Sequence, residues 1–279
     1  MRSADAGAPL DVSGEDAPPP SFTELAGVYA LTVGAIAAAE IQRVRREPSV
    51  ILTRAVQPLL WLLVFGAALS RVRGLATEGT DYQAFILPGV LAQSVLFVAI
   101  FSGLSILWER DLGITERILV APVPRSAVIV GKALASGVRA LVQVVLVLVV
   151  AAVAGIPLRW TVLGVVGALV TILLGAVLLS SVSMVIASGV RSREKFMGIG
   201  QLVSLPLFFA SNALYAVTVM PAWLRWVANA NPLTYEIEAL RRFLVDVGPD
   251  RLAVDFAVIL AGVVVAVAAA TKLYPRVVV

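Results

Sequence analysis

From its amino end the chain alternates between short charged blocks and long apolar runs. Six runs stand out, roughly 50–70, 85–107, 134–154, 161–187, 199–219 and 253–271. Each is close to the ~20 residues that an α-helix needs to cross a hydrocarbon core about 30 Å thick. None alternates apolar with polar positions as a barrel strand would, and in lipid the backbone must satisfy its own hydrogen bonds. The pattern predicts an all-α membrane protein with six transmembrane helices, forming one transmembrane domain over residues 50–279.

Four segments between and before these runs read differently. Residues 1–21 carry Asp5, Asp11, Glu15, Asp16 and the run Pro18-Pro19-Pro20, a composition that predicts a disordered cytoplasmic tail. Residues 22–49 hold an Ala/Gly-rich stretch ending in Arg43, Arg45 and Arg46. Its uncharged part, Leu25 to Ala39, is short for a span, which predicts a helix lying on the cytoplasmic membrane surface; a seventh span is the alternative. Residues 108–125 mix Glu109, Arg110, Asp111, Glu116 and Arg117 with Leu112, Ile118 and Leu119 at helical spacing, closed by Pro122 and Pro124. That pattern predicts a short amphipathic surface helix, with a solvated loop as the plainer alternative. Residues 220–251 open with Trp223 and Trp226, turn at Asn231-Pro232, and continue with Leu233, Ile237, Leu240 and Leu244 on one helical face. Tyr235, Glu236, Glu238, Arg241 and Arg242 surround that face. Neither piece is long enough to cross, so together they predict a re-entrant hairpin capping the outer end before the last span.

Composition narrows the class. The chain is 59% hydrophobic and 14% charged with a mean hydropathy of +0.95, against about 45–50% and about 25% for soluble domains. A soluble enzyme and a disordered chain are both excluded. The net charge of +4 sits in blocks between apolar runs rather than in a patch, so it reads as topology and not as nucleic-acid binding. With both termini inside, thirteen of the 22 Lys and Arg fall in cytoplasmic segments and seven outside, with Arg54 and Arg139 in spans. This predicts a multi-pass protein with both termini cytoplasmic, and the Ala-, Val- and Arg-rich usage points to a bacterial inner membrane.

Absent residue types matter as much. Without cysteine or histidine there are no disulfides, thiolate metal sites or imidazole catalysis, and no metal centre is expected. The phosphate-loop pattern is missing: Gly131-Lys132 is followed by Ala133, and position 126 is Ser. The chain is therefore no enzyme in itself, and any ATP-driven work belongs to another polypeptide. No carboxylate is assigned to the interior of the spans, with Glu236, Glu238 and Asp255 placed outside. That weighs against the alternative of an ion-gradient-driven secondary transporter. Arg54 with Gln57, and Arg139 with Gln143, lie one turn apart near span ends; snorkelling anchors and the lining of a hydrophilic path both remain open for them. Gln201, Pro206, Ser211 and Asn212 interrupt the fifth run and predict a kink.

The order of these features resembles the membrane subunit of ABC type-2 exporters. It includes the basic-ended helix before the first span and Pro58-Leu59-Leu60 within it. Glu109-Arg110 with Gly113, Leu119 and Ala121-Pro122 in the first inside loop, and Asn231-Pro232-Leu233-Thr234-Tyr235 before the last span, complete it. The family's usual Gly-Thr is here Gly113-Ile114-Thr115. The resemblance implies a permease pairing with a second copy or homologue and with two separate ATPase subunits, where ATP and Mg are bound. It implies that the first inside loop is a coupling helix. There Glu109, Arg110, Asp111, Glu116 and Arg117 would meet the ATPase through polar contacts, and Leu112, Ile118 and Leu119 through apolar ones. Leu59, Leu62, Phe65, Phe208, Phe209 and Asn212 are the candidates for substrate path or dimer seam. Asn231, Pro232, Tyr235 and Glu236 mark the outer hairpin. The implied cargo is a hydrophobic or amphipathic molecule, drug-like or lipid, with a polysaccharide or glycolipid exporter as the alternative.

Overall fold

The computed structural model describes residues 22–70, 81–120 and 123–277. The expected tail over 1–21, Arg71 and Arg73 of the first outer loop, and Ala121-Pro122 lie outside the described residues. Every regular element among the described residues is helical. Five stretches are long and apolar enough to cross a membrane.

The first is Leu52–Leu69, built from α2 (Pro48–Leu60), a π-helical turn (Trp61–Phe65) and α3 (Gly66–Leu69). Pro58 lacks an N–H and so frees the carbonyl of Arg54 four residues back. The side-chain amide of Gln143 donates to that carbonyl at 3.4 Å, and the wide turn follows directly. The others are α4 (Tyr82–Asp111), α6 (Arg125–Val153), α7 (Val162–Ser188) and α11 (Leu252–Leu273). Asp81 caps α4 by accepting from the backbone N–H of Gln83 at 2.8 Å and Ala84 at 3.3 Å. Thr161 does the same for α7 through Gly164. Helix α4 packs against α6, α7 and α10 and is the most enclosed of the five membrane-length stretches.

The fifth expected run is a different object. Helix α8 covers Arg193–Phe209, and the chain leaves helical geometry at Ala210 instead of continuing to 219. Seventeen residues reach about 25 Å, short of the ~30 Å core. Side chains take over the orphaned carbonyls of its last turn. Asn231 donates to Leu207 at 2.6 Å, Ser211 to Phe208 at 2.6 Å, and Tyr215 to Phe209 at 2.5 Å. Of the four residues that predicted a kink, Ser211 thus helps to end the helix.

Helix α1 (Phe22–Arg46) forms as one 25-residue piece and packs along α6. Helix α5 is the short Ile114–Val120, reached through Gly113 at φ +67°. Because α4 runs on to Asp111, the residues Trp108–Asp111 belong to that long helix and not to the surface helix expected to contain them. Helices α9 (Ala222–Ala230) and α10 (Pro232–Leu244) form the expected pair before the last span. The amphipathic expectation for α10 fails, however. Glu236, Glu238 and Arg241 are as buried as Leu233 and Ile237, and only Arg242 among its charged residues keeps partial exposure.

A second expectation needs refining with it. Carboxylates do sit among the long helices: Asp255 is 1% exposed in the first turn of α11, Glu236 is 2% exposed against α7, and Glu40 pairs with Arg139 of α6. Glu236 is interior because Gly175, far back in the sequence, makes room for it, whereas Asp255 meets Arg251 one helical turn earlier.

Candidate functional site

Two polar regions occupy opposite ends of the bundle, and a third lies between α1 and α6. At the α5 end, the last turn of α4 is tied down from several sides. Lys132 of α6 pairs with Glu109. Asp111 accepts from Arg110 at 3.0 Å and from Arg193 of α8 at 2.5 Å, while Arg110 also donates to the carbonyls of Val190 and Arg191. Arg193 stacks 4.0 Å above the ring of Trp108. These contacts fix the α7–α8 connection to the end of α4.

Helix α5 hangs from that clamp. Thr115 is buried, and Ile118 and Leu119 pack against Ile106, Ile129, Met184 and Tyr274. The Tyr274 phenol is pushed up to about 12, first by burial and then by the charge of Glu109. Leu112 at 67% and Val120 at 86% exposure, with Glu116 and Arg117, face outward. The eight residues expected to couple therefore divide. Glu109, Arg110 and Asp111 are engaged within the chain, Ile118 and Leu119 face the bundle, and Leu112, Glu116 and Arg117 remain presented. Sequence spacing could not separate them, because the positive φ at Gly113 breaks the assumed single helix.

At the opposite end, α10 carries a buried polar network. Arg241 donates to the carbonyls of Asn212 at 2.8 Å and Phe85 at 3.4 Å and lies 4.1 Å over the Phe85 ring. Glu238 accepts from Asn212 at 3.1 Å and from Arg251 at 2.6 Å. Arg251 reaches Asp255 at 3.8 Å. Glu236 fits against Gly175 of α7, where any Cβ would come within 2.3 Å of its carboxyl carbon. Of the hairpin residues, Asn231 caps α10 by accepting from Leu233 N at 3.0 Å, Pro232 opens it, and Tyr235 donates to the carbonyl of Asn229. Sequence reasoning missed Arg241 and Glu238 as partners; the one available signal was four charged residues on a helix too short to span.

The residues expected on a substrate path or seam also divide. Leu62, Phe208 and Asn212 are buried within the chain, whereas Leu59 is half-buried and Phe65 and Phe209 are exposed. Trp61 meets Phe208 edge-on at 6.2 Å and stacks at a tilt on Phe65, joining the π-helical turn to α8. An apolar cavity of about 560 Å³ opens beside α8, between α4, α7 and α9. Among the described residues no cluster of His, Cys, Asp and Glu could hold a metal ion.

Known proteins are similar in sequence to about two thirds or more of this chain. Residues 32–245 match the model of the ABC-2 type transporter family. A putative transport permease, ycf38, of Pyropia yezoensis is 31% identical over 204 residues, covering 72% of this chain and 69% of that protein. A daunorubicin resistance ABC transporter permease protein of Streptomyces coeruleorubidus is 26% identical, covering 68% and 66%. Nodulation protein J of Rhizobium leguminosarum is 26% identical, covering 68% and 73%. With its helical bundle, its five membrane-length helices and a family match running from α1 to the end of α10, this chain is a member of the ABC-2 type transporter family.

Proposed function

We propose that the protein is the membrane-spanning permease of an ATP-driven exporter, moving a hydrophobic or amphipathic molecule, drug-like or lipid. ATP is hydrolysed by separate subunits, two per complex, that meet two copies of this chain or one copy and a homologue. The observation carrying this reading is α5. It is a short helix clamped at the end of two long ones, with Glu116, Arg117 and Val120 turned outward beside the exposed Leu112 that precedes it. A rigidly held helix transmits displacement to the bundle, and outward charges beside apolar residues suit a polar partner groove. The long helices then need only two arrangements whose balance ATP binding shifts. A drug-resistance permease among the relatives favours a drug-like cargo over a polysaccharide.

For a seam between copies, the exposed face of α2 and the π-helical turn supports the reading best. Leu52, Val56, Leu60, Val64 and Phe65 form an apolar strip there, with Phe209 and Leu205 of α8 nearby in the chain's free surface. Leu62, Phe208 and Asn212, being interior, leave this list. The buried carboxylates remove one objection to an ion-driven carrier. Family membership and the ion pairs that occupy Glu238 and Glu40 favour the ATP-driven reading over it.

The test is co-purification with a co-expressed ABC ATPase subunit from the same genome, using charge reversals at the two outward positions. Glu116→Lys and Arg117→Glu should each weaken retention of the ATPase and abolish its stimulation by the permease, without changing the permease's own melting midpoint. Full retention and stimulation in both variants would remove α5 from the interface. Uphill transport by the chain alone in liposomes would overturn the ATP-driven reading.

A further inference from the structure

A second cavity of about 560 Å³ lies between α1, α4, α5 and α6. That volume is within the ~300–1,000 Å³ typical of small organic ligands. Part of its wall is apolar, from Ile36 and Ile118, and part is charged. Three cations face it, Arg43, Lys132 and Arg139, against two carboxylates, Glu40 and Glu109. Lys132 is taken by Glu109, and Arg139 lies 3.3 Å from Glu40. Arg43, three residues beyond Glu40 on α1, makes no ion pair among the described residues. Among the described residues Arg139 also keeps a buried Nε–H with no acceptor, and Glu40 Oε1 beside it accepts no hydrogen bond.

A half-open site with one cation in excess, the exposed Arg43 at its rim, and an unanswered guanidinium donor inside calls for an anion with several acceptor oxygens. The apolar wall calls for a chain attached to it. Basic pockets between membrane helices take lipid phosphates for these reasons, and planar guanidinium groups match phosphate oxygens better than a point charge does. We propose that this cavity binds the phosphate group of an anionic lipid, held by Arg43 and Arg139, with its hydrocarbon lying along Ile36 and Ile118. Ile118 belongs to α5, so the occupant touches the helix assigned above to the ATPase. The binding test does not depend on that assignment.

The purified full chain in detergent is titrated with dioctanoyl phosphatidic acid, dioctanoyl phosphatidylglycerol, dioctanoyl phosphatidylcholine, and sodium phosphate at constant ionic strength. Thermal unfolding is followed by tryptophan fluorescence. The two anionic lipids should raise the melting midpoint saturably, and the zwitterionic lipid should act only at far higher concentration. Arg43→Gln should weaken the apparent affinity about tenfold or more, the size of one lost charge-assisted bond, with its unliganded midpoint unchanged. Glu40→Gln combined with Arg139→Gln removes the buried pair without stranding a charge and should show the same loss. An equal response to phosphatidylcholine, or undiminished affinity in Arg43→Gln, overturns the proposal. If sodium phosphate alone gives the shift at the lipid's concentration, the site is one for free phosphate and the lipid assignment fails.

Discussion

Gly175 is one of three α7 glycines, with Gly164 and Gly167, at which α10 leaves no room for a side chain, and replacing it by alanine probes that packing. The added methyl would sit 2.3 Å from the Glu236 carboxyl carbon and Oε1, and 2.5 Å from Oε2. Carbon atoms rest at about 3.5–4.0 Å, so the overlap exceeds roughly 1 Å. Glu236 is only 2% exposed and has no solvent to retreat into. Overpacking of this kind costs about 1–3 kcal/mol. Alanine's better helix preference returns up to ~1 kcal/mol, leaving a net loss of about 1–2 kcal/mol. Unfolding free energy from an SDS titration in mixed micelles, followed by tryptophan fluorescence, measures it. The decisive control is the cycle with Glu236→Ala. Removing the carboxyl relieves the clash, so the double variant should be more stable than the sum of the single losses by about 1 kcal/mol or more. Additivity within ~0.5 kcal/mol, the behaviour of independent sites, would refute the contact between these two residues.

Two further outcomes are expected. Asn231→Ala removes the α10 cap, worth about 1 kcal/mol, and strands the Leu207 carbonyl, worth a further ~1–3 kcal/mol. Asn231→Ser keeps a cap acceptor and should lose only the second part, which the same SDS titration separates. Burial, with the charge of Glu109, pushes the Tyr274 phenol up to about 12. The folded state thus favours the neutral form, and the associated stability is complete below the usual tyrosine value near 10 and lost as pH rises through 12. Melting midpoints between pH 9 and 12 should fall less steeply in Tyr274→Phe than in the native chain; parallel curves would show that this phenol is not the titrating group.

Much of the architecture was legible in the run lengths. Uninterrupted apolar stretches of about 20 residues can only be helices in lipid, and four of the six expected spans correspond to α4, α6, α7 and α11, with a fifth at Leu52–Leu69. Asn231-Pro232 marked the start of α10 because an Asn cap followed by Pro is a local signal, complete within two residues. The basic-ended helix over 22–46 was visible for the same reason.

What the chain order could not convey was which polar residues meet. Ser211, Tyr215 and Asn231 end α8 at Phe209 because they arrive at its last carbonyls from the segment that follows. Gln143 answers the carbonyl that Pro58 freed 89 residues earlier in the sequence. Glu238 is interior with Asn212 of the segment after α8 and Arg251 before α11 as its partners. Hydrophobic length fixes a helix within its own segment, whereas the satisfaction of a buried charge is a pairwise matter. Its cost or gain exists only once the tertiary fold has brought the partner within about 3 Å.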